Sequence, residues 1–299
     1  MNALAPLPDR PGAYRWYYAD VACGEVSAVA IFLIGSLFSP RYASSSRALP
    51  TEHCAVNFAL YVGGRRRQWV LSEYRGATQA GEELSIGRSL LRLKQDGSVE
   101  IQVRERRAPF GGETRAELLL RPTAPGLGPV ALVPEGSHIW EPRAPRCAAV
   151  LRLPLLGQVL EGHGYLDANA GEAPLGSALP AWSWTRVHAP DRTAIDFRLP
   201  AGQRITVRTG AGGTALGRDA APATEARRTR WGLPVPRTLR AGGLEVARPE
   251  LVESSPFYAR QVARTAELHA IGEVADFRRF RSPLVRWMAH LRTRVERTA

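Results

Sequence analysis

From residue 14 to residue 268 the chain is cut by Gly, Pro and Asp into short apolar or alternating segments, at 14–18, 26–33, 54–61, 67–74, 90–94, 99–104, 116–121, 148–153, 181–187, 193–199, 204–209, 229–234 and 257–268. Segments of that length and spacing read as strands, and Gln95-Asp96-Gly97 between two of them is a strong hairpin signal. The pattern predicts an all-β fold of antiparallel barrels or sandwiches. Because one barrel uses about eight to ten strands, the number of segments predicts two in tandem. The Pro-rich stretch 142–145 is the expected junction, which gives domains 1–145 and 146–299. Only the end breaks the pattern. Leu284, Trp287, Met288, Leu291 and Val295 recur at helical spacing, with Arg286, Arg292, Arg294 and Arg297 among them. They predict a basic amphipathic helix over 282–297, packed on a barrel end or laid on a membrane surface.

Composition narrows the function classes. With 299 residues and 44% hydrophobic side chains the chain can bury a core, so disorder is not expected. The net charge of +12 comes almost wholly from Arg, Lys94 being the sole lysine, and the arginines are scattered through strands and turns. Nucleic-acid binders gather such charge into patches with interleaved aromatics, so nucleic acid is not an expected partner, whereas anionic lipid needs only local positive charge beside apolar groups. Cys23, Cys54 and Cys147 are odd in number and far apart, which argues against disulfides or a thiolate metal site and for a reducing compartment. Residues 1–11 lack an apolar signal-peptide core. The longest apolar run, 28–38, is interrupted by Gly35 and Ser36 and falls short of the roughly 20 residues a spanning helix needs. The expected location is cytoplasmic, with any membrane contact peripheral. The motifs G-x-S-x-G, H-E-x-x-H and G-x-x-x-x-G-K-[ST] are absent, the Gly-rich stretch 210–217 reads as a loop, and no two of the six histidines have metal-ligand spacing. Neither a metal nor another cofactor is expected.

Two short clusters carry chemistry. In Gly162-His163-Gly164-Tyr165-Leu166-Asp167-Ala168-Asn169-Ala170-Gly171, read as a strand between turn-forming glycines, Tyr165 and Asp167 point to one face. If that face lines a barrel interior, desolvation disfavours the ionised form of Asp167 and makes it a buried proton donor. The plainer alternative is an Asx-type turn at Asp167 and Asn169. In Ser137-His138-Ile139-Trp140-Glu141-Pro142, His138 and Trp140 likewise share a face. The separation allows the two pairs to lie on neighbouring strands, with acid, phenol, imidazole and indole around one site.

Four segments resemble those of the bacterial carotenoid 1,2-hydratases, or hydroxyneurosporene synthases, a two-domain lipocalin-like family. They are Pro11-Gly12-Ala13-Tyr14-Arg15-Trp16-Tyr17-Tyr18-Ala19-Asp20, Ile34-Gly35-Ser36-Leu37-Phe38-Ser39-Pro40-Arg41-Tyr42, His53-Cys54-Ala55-Val56-Asn57-Phe58-Ala59-Leu60-Tyr61 and Gly164-Tyr165-Leu166-Asp167-Ala168-Asn169-Ala170-Gly171-Glu172-Ala173-Pro174-Leu175. His138, Trp140 and Pro256-Phe257-Tyr258-Ala259-Arg260 extend the likeness over almost the whole chain. The resemblance implies two lipocalin-like domains and cofactor-free addition of water to the terminal double bond of an acyclic carotenoid. Asp167 would be the acid, with His138, Trp140 and Tyr165 around it. Glu141 departs from the bulky apolar or aromatic residue expected after the Trp.

The chemistry suits these residues. Protonating a trisubstituted alkene leaves a tertiary cation for water to capture. A protonated Asp167 supplies the proton, Tyr165 orients it, the Trp140 face stabilises the cation and His138 orients the water and takes its proton. Trp16, Tyr42, Trp182 and Trp184 are candidate linings for a polyene tunnel. Two other functions fit the same clusters: a lipocalin-like cyclase of another polyene or terpenoid, and a non-catalytic carrier of an apolar ligand. A carrier, however, has no reason to desolvate an acid without a charged partner.

Overall fold

The computed structural model describes residues 3–36, 38–107, 111–133, 136–177, 179–291 and 293–296. Apart from short helical pieces, including α1 (Pro40–Ser44) and α2 (Pro283–Leu291), its regular structure is strand. The chain divides into two compact units, residues 1–175 with 286–299, and residues 176–285.

The first unit contains β1 (Tyr14–Cys23), β2 (Val26–Ile34), β3 (Cys54–Val62), β4 (Arg65–Tyr74), β5 (Thr78–Ala80), β6 (Glu83–Ile86), β7 (Ser89–Leu93), β8 (Val99–Arg106), β9 (Glu113–Pro122), β10 (Val130–Ala131), β11 (His138–Leu153) and β12 (Gln158–Gly171). Most are antiparallel neighbours in sequence, but the long hairpin β11–β12 inserts between β1 and β9 and joins the two halves of the sheet. Phe32 and Phe58 from one half share a core with Leu91, Ile101 and Leu118 from the other, so the sheet curls around its own apolar face.

The second unit contains β13 (Ala181–His188), β14 (Arg192–Arg198), β15 (Gln203–Gly210), β16 (Gly213–Ala220), β17 (Ala226–Arg228), β18 (Pro234–Pro236), β19 (Thr238–Ala241), β20 (Leu244–Ala247), β21 (Glu250–Ser254), β22 (Tyr258–Arg264) and β23 (His269–Asp276). Seven of them form one antiparallel sheet, ordered β16-β15-β14-β13-β23-β22-β21. Leu239, Ala241, Leu244 and Val246 of the β19–β20 hairpin pack with Val187, Ala194 and Ala270 of that sheet.

Three expectations meet a different arrangement. The Pro-rich stretch 142–145, expected to separate domains 1–145 and 146–299, lies inside β11. Pro142 and Pro145 cannot donate to a ladder, and the β11–β12 register shifts between Glu141 and Ala144 and again between Ala144 and Cys147. Gly162, Gly164 and Gly171 lie within β12 rather than at turns. They are needed for space, since a Cβ on Gly162 would overlap the Ala22 carbonyl of β1. The terminal helix ends at Leu291. Beyond it the Thr293 N–H donates to the His290 carbonyl, and β24 (Arg294–Val295) pairs in parallel with Ser72 and Glu73 on the edge of β4. Arg292 and Arg297 of the expected helix lie outside the described residues.

Strand alternation gives the first unit two buried faces. Tyr17, Ala19 and Val21 of β1 and Leu166 and Ala168 of β12 enter the large core. Tyr14, Trp16, Tyr18 and Asp20, and Tyr165, Asp167 and Asn169, therefore occupy the opposite face. On that face Trp16, Ile31, Leu33, Ala55, Trp69 and Leu71 form a separate apolar cluster across β1–β4.

Candidate active site

The β11–β12 and β1–β12 registers converge on one strip of this second face. Trp140 and Trp16 both pair with Asn169, His138 and Tyr14 both pair with Gly171, and Tyr18 pairs with Asp167. The four residues singled out in the sequence, Asp167, His138, Trp140 and Tyr165, consequently meet in one hydrogen-bonded cluster. They do so on the sheet face opposite the apolar core of their unit, not among that core's side chains as a barrel-interior site would require.

Asp167 is buried, at 4% exposure, and three donors meet on its carboxyl. The Tyr165 hydroxyl donates to Oδ2 at 2.7 Å, Trp140 Nε1–H donates to the same oxygen at 2.9 Å, and Asn169 Nδ2 donates to Oδ1 at 3.1 Å. Trp140 Nε1 also lies 3.3 Å from the Tyr165 hydroxyl. Asn169 and Asp167 thus act through strand geometry rather than as an Asx turn. Of the three donors only the phenol can reverse, because an indole N–H and an amide NH2 donate without accepting. Burial raises the Tyr165 pKa well above its ordinary value, and Asp167 raises it further whenever its carboxyl is ionised, so Tyr165 remains a neutral hydroxyl.

His138 has both ring nitrogens engaged. Nδ1 lies 2.5 Å from the Tyr14 hydroxyl and Nε2 lies 3.1 Å from Asn169 Oδ1. Burial lowers its pKa from 6.5 to about 4, so the ring is neutral at physiological pH. Trp16 packs on both partners, 5.4 Å from the Tyr14 ring and 5.5 Å from the His138 ring. The Tyr18 ring meets Tyr165 edge-on at 6.1 Å.

The other expected lining residues are placed differently. Tyr42 is buried, but its hydroxyl donates to the Ala13 carbonyl and its ring packs on His53. Trp182 and Trp184 belong to β13 of the second unit, where Trp182 packs on Phe277 and lines a cavity of about 370 Å³ with Leu233, Val235 and Val274. Glu141 follows Trp140 on β11, so strand alternation turns it from the Trp140 face, and it lies 3.4 Å from Arg143. Sequence reasoning missed Tyr14 and Asn169, although each continues an alternation visible in the chain: Tyr14-x-Trp16-x-Tyr18-x-Asp20 and Tyr165-x-Asp167-x-Asn169.

Two other chemistries find no support among the described residues. Ser39, His53 and Glu73 lie together, but the Ser39 hydroxyl and the Glu73 carboxylate both approach His53 Nδ1, at 3.0 and 3.2 Å. A serine-activating relay needs the two ring nitrogens to serve different partners. No group of three or more His, Cys, Asp or Glu side chains is arranged to hold a metal ion.

Residues 30–299 match the family model described as carotenoid hydratase CrtC. The acyclic carotenoid 1,2-hydratase of Thiocapsa roseopersicina is 32% identical over 303 residues, spanning 94% of this chain and 73% of the relative. That of Cereibacter sphaeroides is 33% identical over 277 residues, spanning 89% and 97%. Among solved structures, an AttH-like protein of Nitrosomonas europaea superposes with a TM-score of 0.58 at 11% identity, covering 89% of this chain and 92% of that one, a likeness of fold alone.

The neutral, buried imidazole has a measurable consequence. The unfolded chain protonates His138 near 6.5 and the folded chain only near 4, so in that window the unfolded state binds more protons and stability falls as pH is lowered. The displacement corresponds to about 3 kcal/mol. The urea midpoint is expected to drop between pH 6.5 and pH 4, and His138→Gln is expected to make the drop shallower. An unchanged pH dependence in the variant would show that His138 is not held neutral.

Proposed function

The chain belongs to the carotenoid hydratase CrtC family, and from that membership we propose that it adds water across the terminal C1–C2 double bond of an acyclic carotenoid of the neurosporene or lycopene type, without a cofactor. The observation that carries this reading is the buried Asp167 carboxyl with Tyr165, Trp140 and Asn169 bonded to it. In its acid form Asp167 holds its proton toward the Tyr165 oxygen, the partner able to turn from donor to acceptor. Transfer of that proton to C2 forms the C–H bond, moves the π electrons out of C1 and leaves a tertiary cation at C1. Water attacks C1, and the resulting oxonium returns its extra proton to the Asp167 carboxylate, so the acid is regenerated and nothing else is consumed.

The neighbours divide the remaining work. Trp140 commits its N–H to Asp167 and Tyr165, which fixes the ring and leaves its π face to stabilise the cation without trapping it. His138 acts on Asp167 through Asn169 rather than on water, because both of its nitrogens are already engaged. The apolar cluster of Trp16, Ile31, Leu33, Ala55, Trp69 and Leu71, on the same sheet face, suits a long polyene.

An acyclic carotenoid dissolves in membranes, and no helix among the described residues is long and apolar enough to cross one. Peripheral docking at the cytoplasmic face of the inner or photosynthetic membrane fits the terminal segment. Leu284, Trp287 and Leu291, three and four residues apart on α2, are 61%, 57% and 60% exposed, so the outward stripe of this helix is apolar. The flanking, exposed Arg281 suits anionic headgroups.

Two measurements test this reading. With detergent-dispersed neurosporene or lycopene, the wild-type chain is expected to place one solvent deuterium on carbon from D2O and one oxygen from labelled water in each hydrated end. Asp167→Asn is expected to fold and to lose about a thousandfold or more in kcat, and substantial turnover by that variant would remove Asp167 from its role. Liposome binding is expected to rise with anionic lipid, to fall with salt, and to weaken in Trp287→Ser. Equal binding of wild type and Trp287→Ser would take docking away from α2.

A further inference from the structure

Tyr14 has no assigned part in the proton transfer, yet with Asn169 it occupies the two sides of His138. Asn169 presents its NH2 group to Asp167 Oδ1, so its own carbonyl oxygen faces His138 and requires a donor there. That donor is Nε2–H. With the proton on Nε2, Nδ1 is left as the lone-pair nitrogen, and it accepts the Tyr14 hydroxyl at 2.5 Å. The three contacts therefore run in one direction: Tyr14 donates to His138, His138 donates to Asn169, and Asn169 donates to Asp167.

The opposite direction needs a different Asp167. If Tyr14 accepted from Nδ1–H, a bare Nε2 would need the Asn169 NH2, the amide would turn over, and its oxygen would face Asp167 Oδ1. Two acceptor oxygens would then meet unless Oδ1 carried the proton. Tyr14 thus selects, at two removes, the oxygen of Asp167 that remains an acceptor.

We propose that Tyr14, His138 and Asn169 act as a positioning chain that reserves Oδ1 of Asp167 as an acceptor and so assigns the transferable proton to Oδ2, beside Tyr165. This rests on the hydration reading only for its effect on turnover; the tautomer it requires belongs to the free protein. Burial of His138, whose pKa is lowered to about 4, is consistent with a ring that stays neutral through the cycle. The stacking of Tyr14 on Trp16 allows Tyr14→Phe to remove the hydroxyl while keeping the ring in place.

Nitrogen NMR of the full chain with labelled histidine, with the His138 signals identified by their loss in His138→Gln, is expected to show protonated Nε2 and bare Nδ1 at pH 7, and a mixture of tautomers in Tyr14→Phe. Protonated Nδ1 in the wild type would overturn the proposal whether or not the chain hydrates carotenoids. In turnover, Tyr14→Phe is expected to lower kcat about tenfold and Asn169→Ala about a hundredfold, with KM little changed. The double variant is expected to be no worse than Asn169→Ala alone, because both act through one chain. Additive losses, a change confined to KM, or full activity in Tyr14→Phe would overturn it, and melting temperatures of the variants identify any that lose activity by unfolding. A wild-type chain that fails to hydrate acyclic carotenoids would instead overturn the proposed function, with the tautomer measurement still deciding the chain.

Discussion

The architecture around Asp167 follows from the cost of burying a carboxyl group. Removing an acid from water without partners costs at least several kcal/mol, and leaving even a neutral polar group unsatisfied costs about 1–3 kcal/mol. Three donors from three side chains offset that cost here, and each donor is itself held in place. Tyr165 and Asn169 come from the same strand at intervals of two, and Trp140 comes from the adjacent strand. The arrangement therefore needs only the β11–β12 register to be correct. A one-residue slip would carry all of these groups to the opposite face.

That register depends on a sheet buried on both sides. Leu166 and Ala168 lock β12 into the apolar core of the first unit, and this fixes Tyr165, Asp167 and Asn169 on the other face. The core is thus the support of the site rather than its cavity. The bulges at the prolines of β11 lie just beyond Trp140, where the ladder can be interrupted without moving His138 or Trp140 from their pairing with β12.

Much of this was legible in the chain. The all-β class follows from segment length and turn chemistry, and the convergence of acid, phenol, imidazole and indole follows from period-two spacing in two short clusters. Other features were hidden for identifiable reasons. Prolines at 142 and 145 read as a linker because a bulged strand and a linker have the same local composition. The second unit begins near residue 176 because β11 and β12 pair with β1 and β9, a long-range choice that no local pattern encodes. The apolar spacing up to Val295 predicts a longer helix, but the open edge of β4 takes up Arg294 and Val295 as a strand. The partners of His138 were hidden because sequence gives its face but not its contacts, and the contacts with Tyr14 and Asn169 engage both nitrogens.

In the proposed reaction Asp167 of the resting protein carries a proton that it gives to carbon. Infrared difference spectroscopy of wild type against Asp167→Asn at pH 7 reads this directly through the carbonyl stretch of a protonated carboxyl group. A protonated-acid band, shifted in D2O, is expected in the wild type and is expected to be missing from the variant. A difference spectrum containing only carboxylate bands would contradict it.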